Sequence, residues 1–176
     1  SLTNEPARSA TKHALSLAKA AGCLITYDSN YRPPLWNNVE EAVEQMKKPL
    51  PLVDILKISK EELSLLFPGS EGEAVSAILA LGVRLVLVTD GGNGARLYTK
   101  SLRISRPARN VHPVDTTGAG DIFFGTFLSQ LLRRSLSLDS LRKEDAAACL
   151  ETAISVSGKS TERPGGIASI PDPSEL

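Results

Sequence analysis

The sequence is short of several things, and each shortage excludes a class of protein. It has no net charge: 20 basic residues balance 20 acidic ones. A neutral chain offers no broad electrostatic attraction for nucleic acid or an anionic membrane. It has no apolar run near the roughly 18–20 residues needed to cross a bilayer. No basic stretch leads into an apolar core, so nothing resembles a signal peptide. Only two of the 176 residues are cysteine, Cys23 and Cys149, both in apolar stretches and without metal-ligand spacing. That excludes a disulfide-stapled scaffold and points to a reducing, cytoplasmic setting. Internal repeats, charge blocks and low-complexity segments are absent. An initiator methionine is absent too, Met46 being the single methionine, so a processed chain or a piece of a longer one is expected.

What is present is an ordinary globular composition, 41% hydrophobic and 23% charged, on a length that suits one domain. Short β-rich runs alternate with longer helical ones. Apolar spacing predicts helices over 6–21, 38–48, 60–67, 71–81, 119–134 and 143–157. Pro6 suits a first helical turn and Gly22 a stop. Strands are predicted at 23–27 (CLITY), 53–58 (VDILKI) and 84–89 (RLVLVT). A turn at Gly91-Gly92-Asn93-Gly94 is followed by a hairpin over 95–99 and 102–106. From Arg163 onward, prolines and a Gly-Gly pair predict a loop or extended tail. Strands alternating with helices of this length predict a doubly wound α/β fold, a parallel sheet with helices on both faces. That architecture alone carries no function.

The segment richest in chemistry is Val114-Asp115-Thr116-Thr117-Gly118-Ala119-Gly120-Asp121, running straight into a predicted helix. The first N–H groups of a helix lack intrahelical partners and, with the helix dipole behind them, attract an anion. Gly118 and Gly120 would let a phosphate approach the backbone without Cβ interference. Asp121, a negative charge at the rim of such a site, makes sense there as a proton acceptor. Phosphoryl transfer to an alcohol needs both parts: donors for the moving charge and a carboxylate for the hydroxyl proton. The same residues also fit a plain tight turn with an acidic first turn that the dipole favours.

The run DTTGAGDIFFGTFL resembles the C-terminal signature of the PfkB, or ribokinase-like, family of carbohydrate kinases. Three more segments resemble that family in the expected order. Asp28 to Trp36 (DSNYRPPLW) is similar to the D-x-N-x-R-x-x-L-W stretch of its fructokinase-type branch. Ser59-Lys60-Glu61-Glu62 lies where the family has N-x-x-E, with Ser59 in place of the asparagine. Val88 to Ala95 resembles its V-T-x-G-x-x-G strand and turn. The resemblance implies ATP-dependent phosphorylation of a small sugar, fructose-like, with ATP, Mg²⁺ and K⁺ as cofactors. It implies Asp121 as catalytic base and Gly118, Ala119 and Gly120 as the anion hole. Ser59, Glu62, Thr89, Gly91, Gly94 and Gly120 are implied in nucleotide binding, with Glu62 acting on magnesium indirectly. Asn30, Arg32 and Asp121 are implied at the sugar. A monovalent-cation site is implied at Asp115 and Thr117 with Ser160, Arg163, Gly165 and Ser169. Ile154 falls where many members carry an adenine-contacting asparagine, a departure from the family pattern.

Members of that family are longer, so the resemblance also implies that residues 1–176 are the C-terminal nucleotide-binding part of a sugar kinase. The family's first strands, its β lid and most sugar-contacting side chains are missing, and the partner implied is the N-terminal half of the same protein. A homodimer stays open. Within the class, 2-keto-3-deoxygluconate and an aminoimidazole riboside remain alternative substrates, and a nucleotide-binding module inactive by itself is the alternative from another class. A Rossmann dehydrogenase is a poor third reading, because no strand-linked G-x-G-x-x-G precedes an acidic residue about 20 positions on. Trp36, Phe123, Phe124 and Phe127 read as packing residues, His13 and His112 as surface or loop residues, and Cys149 as core.

Overall fold

The structure, a computed structural model, describes residues 2–172 and 174. The last residues of the predicted tail, 173 and 175–176, lie outside the described residues, as does Ser1. Six α-helices are described: α1 (Ala7–Ala20), α2 (Val39–Lys47), α3 (Lys60–Leu66), α4 (Glu71–Ala80), α5 (Ala119–Arg133) and α6 (Lys143–Ser160). The strands are β1 (Thr26–Asp28), β2 (Ile55–Ser59), β3 (Leu85–Thr89), β4 (Ala95–Tyr98) and β5 (Arg103–Arg106), in one sheet ordered β1-β2-β3-β4-β5. β1 and β2 run parallel. β4 and β5 are neighbours joined by four residues, 99–102, too few for a parallel crossover, so they run antiparallel. The sheet is therefore mixed, its parallel part as predicted and its hairpin supplying the rest. No helix among the described residues is long and apolar enough to cross a membrane.

The chain divides into two compact units, one of residues 1–88 with 98–101 and one of residues 89–97 with 102–176. The first has a core of Ile25, Met46, Leu50, Ile58, Leu66, Ile78, Val86 and Val88 among others. Its helices α2, α3 and α4 start on side-chain caps that the sequence provides. Asn38 accepts the Glu41 N–H at 2.7 Å to open α2. Ser59 with Glu62, and Ser70 with Glu73, form capping boxes that open α3 and α4. Each box satisfies backbone donors that a helix start leaves orphaned, so an intact cap contributes about 1 kcal/mol. β2 is buried along Ile55, Leu56, Lys57 and Ile58, as a strand inside a sheet should be.

One element differs from its prediction. The CLITY run is not a buried strand: Cys23 and Leu24 are exposed, and the strand is Thr26–Asp28. Its register explains the shift. Thr26 pairs with Ile55, Tyr27 with Leu56 and Asp28 with Lys57, so the ladder begins where β2 begins. The same register brings Asp28 within 3.1 Å of the buried Lys57 ammonium. The apolar residues 23–24 precede any partner strand, and Ile25 alone enters the core. Its N–H donates to the Asp54 carboxylate at 2.9 Å.

In the second unit α5 and α6 pack along each other, and α6 also covers β5. The buried stripe of α5 is bulky (Phe123, Phe124, Phe127, Leu131), while that of α6 is mostly small (Ala146, Ala147, Cys149, Leu150, Ala153, Val156, Ser160). Large residues facing small ones let two helices interdigitate closely. The aromatic residues of α5 are thus packing residues, as read from the sequence. Cys149 is buried, and burial pushes its thiol up from the ordinary value.

Candidate active site

The second unit holds the predicted signature, and its loop geometry is set by one carboxylate. Val114 and Asp115 donate their N–H groups to the Thr161 carbonyl, at 2.7 and 3.1 Å, which ties the loop to the end of α6. Asp115 then accepts the Thr117 N–H on Oδ1 at 2.8 Å and the Gly165 N–H on Oδ2 at 2.9 Å. Hydrogen bonds from Thr117 and then Gly165 hold its carboxyl at about 2, below the ordinary value of 3.8. The clamp is made by the charged form. It is complete above the ordinary value and lost as pH falls through about 2. The Thr117 and Gly165 amide shifts, followed by NMR, are expected to titrate with a midpoint near 2; a midpoint near the ordinary 3.8 would show that the carboxylate is not engaged.

The clamped loop delivers the chain to α5 through Gly118, which caps the helix in the left-handed region at φ +77°. A Cβ there would lie 3.2 Å from the Gly166 Cα, so glycine serves both the turn and the close approach of the 165–166 segment. The Ala119 N–H donates back to the Thr116 carbonyl at 3.1 Å. Among the described residues no backbone carbonyl accepts from the N–H of Gly118, Gly120 or Asp121. Of the three expected donors, Ala119 thus has its N–H engaged within the turn, while those of Gly118 and Gly120, and of Asp121 beside them, have no backbone acceptor among the described residues. The Asp121 side chain is exposed on the first turn of α5.

A pocket of about 280 Å³ opens beside this helix start, close to the lower end of small-molecule sites. Thr89, Gly91, Gly94 and Gly120, all expected at a nucleotide, line it. So do residues that sequence reading missed: Ala108, Arg109, Val111, Pro113 and Thr116 from the segment before α5, and Ser157, Gly158 and Thr161 from α6. Ile154 lines it as well. Ile154, Ser157, Gly158 and Thr161 recur at i, i+3, i+4 and i+7, one helical face, and their small or apolar character was the signal available. Gly158 keeps that face low, since a Cβ would sit 3.3 Å from Arg109 Cβ, a tight approach, and 3.7 Å from Val111 Cγ1, an ordinary contact. Gly94, at φ +98°, underlies the other wall and leaves room for residues 106–108.

The residues expected around a monovalent cation are brought together in part. Asp115 and Gly165 are bonded directly. Ser160 and Ser169 are buried, and their hydroxyls donate to the Ser157 and Gly166 carbonyls, at 2.7 and 2.8 Å. Thr117 is exposed and Arg163 half-buried. Among the described residues no cluster of three or more His, Cys, Asp or Glu is placed to hold a metal ion.

Ser59, Glu62, Asn30 and Arg32 belong to the first unit. Glu62 is buried and its carboxylate is a hub. Oε2 accepts from the Ser29 hydroxyl at 2.7 Å and the Ser59 N–H at 2.8 Å, and Oε1 accepts the Tyr31 N–H at 2.5 Å. Three donors leave it little capacity to bind a metal directly; what it does is hold the 29–31 segment. Asn30 is thereby presented on an exposed bend at φ +42°, and Arg32 is exposed, donating to the Tyr31 carbonyl at 3.3 Å.

An anion-attracting helix start, a carboxylate on its first turn and an adjoining glycine-walled pocket on an open mixed α/β sheet define the class. Residues 2–173 match the pfkB family carbohydrate kinase description, and the chain belongs to that family. Fructokinase-1 of Oryza sativa subsp. japonica is 35% identical over 178 residues, covering 100% of this chain and 54% of that protein. Fructokinase from Vibrio cholerae O395, solved with fructose, ADP and calcium ion bound, aligns with a TM-score of 0.89 at 29% identity, covering 99% of this chain and 56% of that one. A double mutant of it was solved with fructose, ADP and potassium ion. Aminoimidazole riboside kinase from Salmonella enterica, complexed with aminoimidazole riboside and an ATP analog, aligns with a TM-score of 0.85 at 30% identity, over 99% of this chain and 58% of that one. The fold is the ribokinase-like one of these structures. The chain spans about half the length of the curated relatives it matches.

Proposed function

We propose that this chain supplies the nucleotide-binding and phosphoryl-transfer part of an ATP-dependent kinase that phosphorylates a hydroxyl of a small sugar, fructose-like. The observation that carries it is the set of three N–H groups at the start of α5 that have no backbone partner among the described residues, with Asp121 on the same turn and the pocket alongside. Asp121 takes the proton of the sugar hydroxyl as that oxygen attacks the γ-phosphorus. The O–H bond breaks, an O–P bond forms, and the bond to the β-phosphate oxygen breaks to release ADP. The Gly118, Gly120 and Asp121 N–H groups, backed by the α5 dipole, stabilise the charge on the moving phosphoryl group. Thr89, Gly91 and Gly94 border the nucleotide. Asn30 and Arg32, on the bend held by Glu62 in the first unit, are the side chains we assign to sugar binding. Magnesium bound with ATP would neutralise its phosphates. Asp115, Thr117 and the carbonyls around Gly165 would hold a potassium ion, with Ser160, Arg163 and Ser169 as its surround.

A second reading, a nucleotide-binding module without turnover of its own, is favoured by the chain's spanning about half the length of its relatives. Coupled ADP release with magnesium, potassium and a panel of fructose, 2-keto-3-deoxygluconate and aminoimidazole riboside separates the two, using the chain and the product of the complete gene side by side. Turnover on fructose is the expected result for the complete product. Nucleotide binding without turnover on any sugar by either form supports the second reading. A chain that binds no nucleotide overturns both.

A further inference from the structure

Lys57 is a buried cation that the reaction proposed above does not use. It stands on β2 with 7% of its surface exposed, and its ammonium lies 3.1 Å from each carboxylate oxygen of Asp28 on β1. The two residues are register partners across the parallel ladder. Burying such a pair costs desolvation that its attraction only roughly offsets, so stability is a weak reason for it. Its place in the fold supplies a better one. β1 is three residues long and stands at the end of the sheet order, with β2 as its neighbour. A strand that short, paired on one side, opens easily. Asp28 is its last residue, at the carboxyl end of a parallel strand, where open α/β sheets carry their ligand-binding loops. The Ser29 N–H also donates to the Lys57 carbonyl at 3.2 Å. Lys57 thus holds the exit of β1 by both side chain and backbone, and Asn30 and Arg32 follow directly.

Resting on the assignment of Asn30 and Arg32 to sugar binding, we propose that Lys57, acting through Asp28, is a positioning residue for the sugar. It fixes the point at which the segment bearing Asn30 and Arg32 leaves the sheet. The test is steady-state kinetics on the product of the complete gene, using the sugar of the panel that turns over best, with thermal denaturation of each variant. Lys57→Met is expected to raise the sugar KM by about 10- to 100-fold, the scale of a misplacement near 1 Å. The kcat and the KM for ATP should stay within about threefold of the parent, since the loss is one of sugar binding. Lys57→Met leaves Asp28 a buried, unpaired charge and can unfold the chain. A double variant, Asp28→Asn with Lys57→Met, removes both charges at similar volume, a change that buried pairs often tolerate. It should keep the parental Tm and still show the raised sugar KM. Parental Tm with parental sugar KM in the double variant overturns the proposal. So does a loss of kcat and of affinity for both substrates in step with Tm. Arg32→Met separates this inference from the reading beneath it. A raised sugar KM in Arg32→Met but not in the double variant rejects the role of Lys57 alone. An unchanged sugar KM in Arg32→Met removes the sugar-side assignment, and no turnover on any sugar by the complete product overturns the kinase reading with it.

Discussion

Asp121→Asn is expected to lower sugar phosphorylation by about 10²–10⁴-fold, the usual contribution of a positioned general base. The amide keeps the size and the backbone N–H of the aspartate but cannot accept the hydroxyl proton. It also keeps the start of α5 intact, because the helix opens on Gly118 and on the Ile122 N–H donating to the Gly118 carbonyl at 2.9 Å. Nucleotide binding should therefore stay within about fivefold of the parent, since one charge at an exposed helix start contributes less than about 1 kcal/mol. The paired readout is what decides. ADP release in the presence of sugar should collapse while the calorimetric affinity for ATP holds. Equal turnover by the variant would remove Asp121 from the role of base. Loss of ATP affinity in step with turnover would place it in binding instead.

Gly94→Ala is expected to destabilise the second unit by about 3 kcal/mol or more, through strain at a positive φ together with a steric conflict. Gly94 sits at φ +98° and ψ −143°, a region that side chains rarely adopt. An added Cβ would lie 2.1 Å from the Arg106 carbonyl oxygen and 2.6 Å from the Ala108 nitrogen. Both obstacles are backbone, so no rotamer change relieves them. For a chain of this size each kcal/mol moves the Tm by roughly 2–4 °C, which makes a fall of about 10 °C the expected thermal-denaturation result. Gly92→Ala is the control, because nothing lies within 4 Å of a Cβ built at Gly92. A small change at Gly94 would mean that residues 106–108 can move away from the turn. The lining of the pocket would then be able to yield at residues 106–108.

Much of the architecture could be read along the chain, because its causes are local. The capping residues Asn38, Ser59 and Ser70 each stand one residue before a helix, and Gly22 and Gly82 adopt positive φ just past the ends of α1 and α4. The Gly118–Asp121 run was legible for the same reason, since orphaned N–H groups at a helix start follow from the helix itself. The CLITY run shows where local reading fails. Its apolar residues satisfy a strand pattern, but a strand exists only where a partner does, and β2 offers pairing from Ile55 onward. Glu62 shows a second kind of failure. An acidic residue in a first helical turn is ordinary in sequence, and nothing nearby announces that it will accept from Ser29 and Tyr31, some thirty positions earlier.

The sequence by itself determined the alternation of helices and strands, the glycines on which the turns depend, and the motif that carries the family. The tertiary structure alone decided which donors are free. Ala119 turned its N–H inward to Thr116, while Asp121 kept its own available. It also decided that α6 and the segment before α5 converge on one pocket with Thr89 and Gly94. The physical reason is range. Propensity, capping and periodicity act over a few residues, so a single stretch of chain displays them. A pocket is the meeting of surfaces far apart in sequence, and only the packing that buries their other faces brings them together.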